Sequence, residues 1–372
     1  NTVHLLALNQ RVLLPDEVSV SESVEALKKY CRSVKVFKIP TDYNRIRWYS
    51  LLFLNIFSSA PFTNWWFRSN ELAAEVKNQI QSNDFALIYF ETIDLVQYAR
   101  FTPDIPRVLN HQNVESSLLR RRAANEKNMI AKLYLYLQAR KLRNYEKRVL
   151  NKFEMNLAVS ENDKDLFMQM APNSIFEVIP NGTDTRYFRP TDGSVSRELI
   201  FVGGLNWYPN RDAMIHFCED IYPVIKREIP DVKMNIIGQC PPSKLRRYMD
   251  GDVSLRIHGF VKDIRSHISR SAVFVVPIRV GGGTRLKILD AFACGKAVVS
   301  TSIGCEGIDV TPGENILIGD SPEEFASQVM RVMKDDGLRT RLEKNARKLV
   351  VEKYSWEIIG RKLDEIFGSI VK

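Results

Sequence analysis

The stretch VPIRVGGGTRLKILDAFACGKAVVSTSIGCEG, residues 276–307, decides the fold. It opens on the end of an apolar, β-branched run that stops at Pro277, which reads as a buried strand. Gly281, Gly282 and Gly283 follow, and then a helical pattern over Arg285–Cys294 whose opening carries Thr284, Arg285 and Lys287. Glycines let backbone approach a phosphate, while free helix N–H groups and two cations supply positive potential for it. Asp290, one turn further on, suits a ribose diol. Such a unit is shaped to hold a nucleotide diphosphate. A Walker loop would need glycine and Ser/Thr where Asp290 and Ala297 stand, and GGGTR is not a dinucleotide fingerprint. A glycine turn with a purely structural purpose stays open.

The same alternation extends in both directions. Downstream of residue 197 the pattern predicts strands at Glu198–Val202, Lys233–Ile237, Leu255–His258, Val273–Pro277, Ala297–Ser300 and Ile316–Ile318. Helical patterns fall between them at Asp212–Glu228, Ser243–Met249, Arg265–Arg270 and Arg285–Cys294. Upstream, strands are expected at Val3–Leu8, Val34–Ile39, Ala86–Phe90, Arg107–Leu109, Met155–Val159 and Phe176–Ile179. Helices are expected there at Ser21–Tyr30, Ser69–Gln81 and Glu115–Phe153. Strands alternating with helices mean parallel sheets covered on both faces. With 372 residues, two domains are expected. The seam falls near Pro180–Arg197, where PNGTD (180–184) and RPTDGSVSRE (189–198) carry turn and linker chemistry. The expected division is an N-terminal domain over 1–188, a nucleotide domain over 189–354 and a returning helix over 355–372. Two doubly wound domains would face each other across a cleft. Asn1 already leads into a strand, so the start of the first domain is expected to be missing, and with it a central strand.

Composition narrows the classes. The chain is 45% hydrophobic and 26% charged, ordinary for a globular protein. Five scattered cysteines form no C-x-x-C pair, which argues against zinc and disulfide frameworks and for a reducing compartment. No apolar run is long enough to span a bilayer, so a cytoplasmic location, peripheral on the inner face of a membrane, is the expectation. The net charge is +9, and residues 120–152 alone hold eleven Lys and Arg against two Glu, a surplus of nine. The apolar residues Ile130, Leu133, Tyr134, Leu137, Leu142, Tyr145 and Val149 recur there at helical spacing, giving a basic amphipathic helix suited to an anionic membrane surface. A solvated helix packed on its own domain is the other reading. Nucleic acid is not expected, since no binding motif accompanies the charge. DKD (163–165) imitates a metal-binding D-x-D, but it sits at an expected helix start, where acids favour the dipole; no metal site is predicted.

Together these segments resemble the retaining glycosyltransferases of the GT-B fold, in the large family numbered four (group 1 glycosyltransferases). The family form places two glutamates ahead of A-x-A-x-G-x-P-V-V; this chain has Gly282 at the first position, Asp290 at the second, and then AFACGKAVVST. The departure is similar to a subgroup with GGGTR-x-K-x-x-E-A, in which cations carry more of the phosphate binding. LIFVGGLNWYPNRDA (199–213) resembles the first strand–loop–helix of the nucleotide domain, and IHGFVKDI (257–264) the base-reading loop. VSENDKD (159–165), IPNGTD (179–184) and KYSWEIIGRKLDEIF (353–367) resemble the last acceptor-domain strand, the hinge and the returning helix.

The resemblance implies roles. Gly203, Gly204, Asn210, Arg211, Gly281, Gly282, Gly283 and Thr284 would surround the donor phosphates, and Val261, Lys262 and Asp263 the base. Arg285, Lys287 and Asp290 join them at the reacting diphosphate. VLNHQNVESSLLRRR (108–122) resembles a D-x-H-N-V-E-S segment, whose histidine register falls on Gln112 with His111 one residue earlier. Either would polarise the acceptor side, with Asn113 and Glu115 shaping the pocket. The implied reaction moves a sugar from a nucleotide diphosphate to a lipid-linked or saccharide acceptor in envelope or surface polysaccharide synthesis, without cofactor or metal. Two other readings compete: a sugar-nucleotide 2-epimerase, and a non-catalytic binding subunit of the same fold.

Overall fold

The computed structural model describes residues 2–371 apart from 13, 15, 192–195 and 282, with backbone alone at 45 and 249. Gly282 and positions 192–195 of the expected linker therefore lie outside the described residues. The chain forms two compact units. One comprises Asn1–Leu157, Leu166–Glu177 and Phe367–Lys372; the other comprises Ala158–Asp165 and Val178–Ile366.

The first unit carries two sheets. Strands β1 (His4–Asn9) and β2 (Ser33–Lys38) pair in parallel. Strands β3 (Ile88–Phe90), β4 (Arg107–His111), β5 (Met155–Ala158) and β6 (Phe176–Val178) form a second sheet in that order, β3 and β4 in parallel. Its core gathers Leu72, Phe90, Ile93, Val96, Leu109, Val149 and Phe153. The expected single helix over Glu115–Phe153 is two helices, Glu115–Asn125 and Met129–Val149, with a short 3₁₀ turn after them. The break comes at Asn128, whose side chain caps the second helix by accepting from the amides of Ile130 and Ala131. The buried face of this helix also differs from the expected one. Leu135, Ala139, Leu142 and Val149 turn inward, whereas Ile130 and Leu133 are exposed.

The second unit is a six-stranded, all-parallel sheet. In chain order its strands are β7 (Glu198–Val202), β8 (Lys233–Ile237), β9 (Leu255–Gly259), β10 (Val273–Val276), β11 (Val298–Ser300) and β12 (Leu317–Ile318). Across the sheet they run β12-β11-β10-β7-β8-β9. Period-two alternation divides the strand residues between two cores. Leu199, Phe201, Val273 and Val275 face one layer with Phe217, Phe325 and Val329. Ile200, Phe274 and Val276 face the other with Ile288, Phe292, Ala346 and Val350. Helices therefore cover both faces, and near-complete burial explains why these strands read as continuous apolar runs.

The helix after β7 is longer than expected. It starts at Tyr208, with Pro209 in its first turn, and runs to Glu228 through a π segment at Phe217–Ile221.

Candidate functional site

The strand order reverses between β7 and β10. From β7 the chain proceeds outward to β8, and from β10 to β11 in the opposite direction. Ligands of doubly wound sheets bind beyond the carboxyl ends of the strands at such a switch point. The loops found there are those that follow Val202 and Val276.

Gly203 follows β7 and donates its amide to the Ile237 carbonyl at 2.9 Å. A Cβ at Gly203 would stand 2.4 Å from the Lys287 Nζ and 2.8 Å from the Asn210 Nδ2, so only glycine leaves room for both side chains. Asn210, buried in the first turns of the following helix, donates to the Gly204 carbonyl at 2.9 Å. Its Oδ1 accepts from Lys287 at 2.6 Å. The Lys287 ammonium also lies 4.0 Å from the centre of the Phe201 ring, a cation–π contact. Burial, and then the neighbouring charge of Arg285, hold the Lys287 pKa well below the lysine range.

The second loop arches over its own arginine. A Cβ at Gly281 would fall 2.0 Å from the Arg285 Nη2. The Nη1 donates to the Gly283 carbonyl at 3.0 Å, and Gly283 has φ of +67°, left-handed geometry that favours glycine. Thr284 donates its hydroxyl to the Val159 carbonyl at 3.2 Å. Helix Leu286–Ala293 begins immediately after Arg285. Asp290 accepts from the Thr183 hydroxyl at 2.6 Å, tying that helix to the 179–184 segment, and burial raises its carboxyl to about 6.

Other expected residues take different places. The Arg211 guanidinium, next along the helix from Asn210, lies 5.8 Å from the Tyr208 ring. Val261 packs on the core of the second unit, and Lys262 is exposed. Asp263 grips Arg265 through two hydrogen bonds, 2.9 and 2.6 Å, which lower its carboxyl to about 2. Arg265 in turn covers the Tyr187 ring at 3.9 Å, which links the loop after β9 to that residue. Asp163, of the DKD sequence, accepts from the Ser160 hydroxyl at the start of its helix.

In the first unit the two options at 111 and 112 separate. His111 is 2% exposed, 4.3 Å from the Phe167 ring and 3.2 Å from the Asn156 Oδ1, and burial lowers its pKa to about 4. Gln112 is more accessible and donates to the Glu91 Oε1 at 2.6 Å. Asn110 reaches the same oxygen at 3.2 Å. Asn113 donates to the Glu115 Oε1 at 3.2 Å, beside the start of the next helix. Glu91 was not foreseen in the sequence. It follows β3, and desolvation raises its carboxyl, while Gln112, Asn110 and Tyr89 partly offset the rise. The strands β3 and β4 thus end in a polar cluster of an acid and two amides.

Residues 196–335 match the family model described as glycosyl transferases group 1. An uncharacterized protein of the Klebsiella pneumoniae cps region is 27% identical over 181 residues, 47% of this chain and 45% of that protein. A GDP-mannose-dependent monoacylated α-(1-6)-phosphatidylinositol monomannoside mannosyltransferase of Corynebacterium glutamicum is 25% identical over 218 residues, 52% of this chain and 56% of that enzyme. The chain thus matches about half the length of these relatives. Among solved structures, a sucrose-phosphate synthase of Thermosynechococcus elongatus superposes with a TM-score of 0.69 at 15% identity, covering 99% of each chain. Anabaena HepE in complex with UDP and glucose gives 0.69 at 14% identity, covering 99% of this chain and all of that one. The fold is GT-B, and the match to the group 1 glycosyl transferase model falls within its second unit.

Proposed function

We propose that this chain is a nucleotide-sugar-dependent glycosyltransferase of the retaining type, with the diphosphate of its donor held at the switch point of the second unit. The observation that carries the reading is the convergence there of Lys287, Arg285 and two glycine loops beyond the carboxyl ends of the central strands β7 and β10. Lys287 is desolvated and meets a neutral amide rather than a carboxylate, an arrangement that costs stability and is offset when an anion arrives. The relatives named as mannosyltransferases and the neighbour holding UDP and glucose support the same class of donor.

In the reaction the acceptor oxygen forms a bond to the anomeric carbon while the bond from that carbon to the diphosphate breaks. Attack comes from the face the diphosphate leaves, and the departing phosphate oxygen takes the acceptor proton. Catalysis then rests on positioning and on stabilising the charge that grows on the diphosphate. Arg285, Lys287 and the amides of the two loops are aimed at that charge, with Arg211 beside them. In the first unit, Glu91, Asn110 and Gln112 are the polar groups suited to an acceptor hydroxyl. An acceptor used in envelope or surface polysaccharide synthesis fits the relatives.

Calorimetry of UDP, GDP, ADP and TDP against wild type and Arg285→Ala tests the reading. Tight binding of one nucleotide, weakened about tenfold or more by the substitution, is expected. Binding of none of them by the folded chain would overturn it in favour of a non-catalytic protein.

A further inference from the structure

The strongest unexplained surface is in the first unit. Large apolar side chains are largely exposed on two helices and just past the second: Met129, Ile130 and Leu133 at 74%, 83% and 73%, and Ile46, Phe53 and Phe57 at 80%, 62% and 77%. Tyr136 extends the first set and Tyr49 the second. Their spacing is helical. Met129, Leu133, Tyr136 and Arg140 lie along one stripe of Met129–Val149, and Ile46, Tyr49 and Phe53 along one stripe of Arg45–Asn55. Phe53 and Phe57 meet edge to face at 5.7 Å.

The two helices are fastened together by buried polar groups. Lys141 donates to the carbonyls of Asn55 and Ile56 at 2.5 and 3.2 Å, and Gln138 donates to the Asn55 side chain at 2.9 Å. Gln138 also accepts the Phe62 amide at 3.0 Å. At roughly 100° per residue Gln138 lies about 140° around the helix from Leu133, so the second helix meets another face and leaves the Met129–Leu133–Tyr136 stripe clear.

Charge says what covers it. Arg120, Lys127, Arg140, Arg143, Lys147, Arg148 and Arg47 are exposed on the same segments. Of the two acids in 120–152, Glu146 is buried, accepting from the Ser116 amide and hydroxyl at 3.1 and 2.5 Å. The apolar tips therefore stand in a strongly cationic field. A second copy of the chain would bring like charge against it, whereas anionic headgroups would neutralise it. Among the described residues no helix is long and apolar enough to cross a membrane.

We propose that the exposed stripe of Met129–Val149 docks on an anionic lipid bilayer, with Met129, Ile130, Leu133 and Tyr136 entering the interface and Arg140, Arg143 and Lys147 meeting the headgroups. The surface belongs to the first unit and the proposed donor site to the second, and the proposal does not depend on the activity inferred above.

Co-sedimentation with phosphatidylcholine vesicles, alone or mixed with phosphatidylglycerol, tests it. Binding to the anionic vesicles alone is expected, released by salt. Met129→Ser/Ile130→Ser/Leu133→Ser should weaken it about tenfold or more, whereas Phe53→Ser/Phe57→Ser should leave it near wild type, with unchanged nucleotide binding and thermal unfolding reporting an intact fold. Wild-type affinity in the folded triple variant would overturn the proposal. So would equal binding to neutral vesicles, or a failure to bind either kind accompanied by concentration-dependent dimerisation that the substitutions abolish.

Discussion

The ammonium of Lys287 lies 2.6 Å from the amide oxygen of Asn210, and that amide's nitrogen holds the Gly204 carbonyl at 2.9 Å. One neutral side chain therefore orients both a cation and a glycine loop at the switch point. Because burial depresses the Lys287 pKa, this cation destabilises the unliganded fold. In the unfolded chain it carries its proton up to the ordinary lysine value, so the penalty is present throughout neutral pH and fades only as pH rises towards that value.

Lys287→Met should accordingly have opposite effects on stability and function. Thermal unfolding without nucleotide is expected to shift upward, by about 0.5–2 kcal/mol of stability, as the buried charge is replaced by an apolar chain of similar length. Nucleotide-diphosphate affinity should fall about tenfold or more. Calorimetry in buffers of different ionisation heat should also show proton uptake on binding by wild type, near the shifted pKa, and none by the variant. A variant that loses stability and keeps its affinity would place the lysine in a structural role.

Gly203→Ala separates crowding from folding. The added methyl would meet the flexible ends of Lys287 and Asn210, at 2.4 and 2.8 Å, rather than backbone. The fold should survive with a loss of about 1 kcal/mol, while donor affinity should fall by more than that loss accounts for. Parallel melting and binding measurements decide this; equal losses in both would mean that the position matters only for packing.

The second-unit strands were legible because each is buried on both faces and bounded by turn residues. Predicted and observed limits coincide for Glu198–Val202 and Lys233–Ile237. The 48–67 stretch was not, since it is apolar around most of its circumference and shows no clean period. Its helices at Arg45–Asn55 and Phe62–Trp66 are marked only by the Asn44 cap and by Pro61. Of the residues proposed to hold the donor, Gly281, Gly283, Arg285 and Lys287 stood out by their spacing, and Gly203 and Gly204 through the resemblance. The use of Asn210 was not legible, because its partner Lys287 is brought to it only by the pairing of β7 with β10. Glu91 was invisible for the same reason: a lone acid after a short strand acquires meaning only when β4 places Asn110 and Gln112 beside it.

The first unit should show opposing titrations. His111 has its pKa lowered to about 4, so it contributes a loss of stability that develops as pH falls from the ordinary histidine value of 6.5 towards 4. Glu146 has its carboxyl raised to about 7, so its contribution is fully present below 4.5 and is lost as pH rises through 7. Glu146→Gln is expected to remove the decline between 4.5 and 7, worth about 3 kcal/mol at most, and to leave a steeper net acid limb from His111. Urea midpoints across pH 4 to 8 provide the check. Unchanged slopes in the variant would show that Glu146 does not titrate in this range.

Glu91→Gln tests the acceptor-side assignment. The substitution keeps the length of the side chain and an oxygen for Gln112 and Asn110 to donate to, so melting temperature should change little. It removes the charge that would orient an acceptor hydroxyl for attack while the leaving phosphate takes the proton. Transfer turnover with a saturating donor should therefore fall by about 10²-fold or more, within the range typical of a positioned acid or base. Calorimetric affinity for the nucleotide should stay at the wild-type value, because the donor diphosphate is assigned to the second unit. Unreduced transfer, in a variant with normal donor binding, would remove Glu91 from the reaction and leave Gln112 and Asn110 as the polar groups of that strand end.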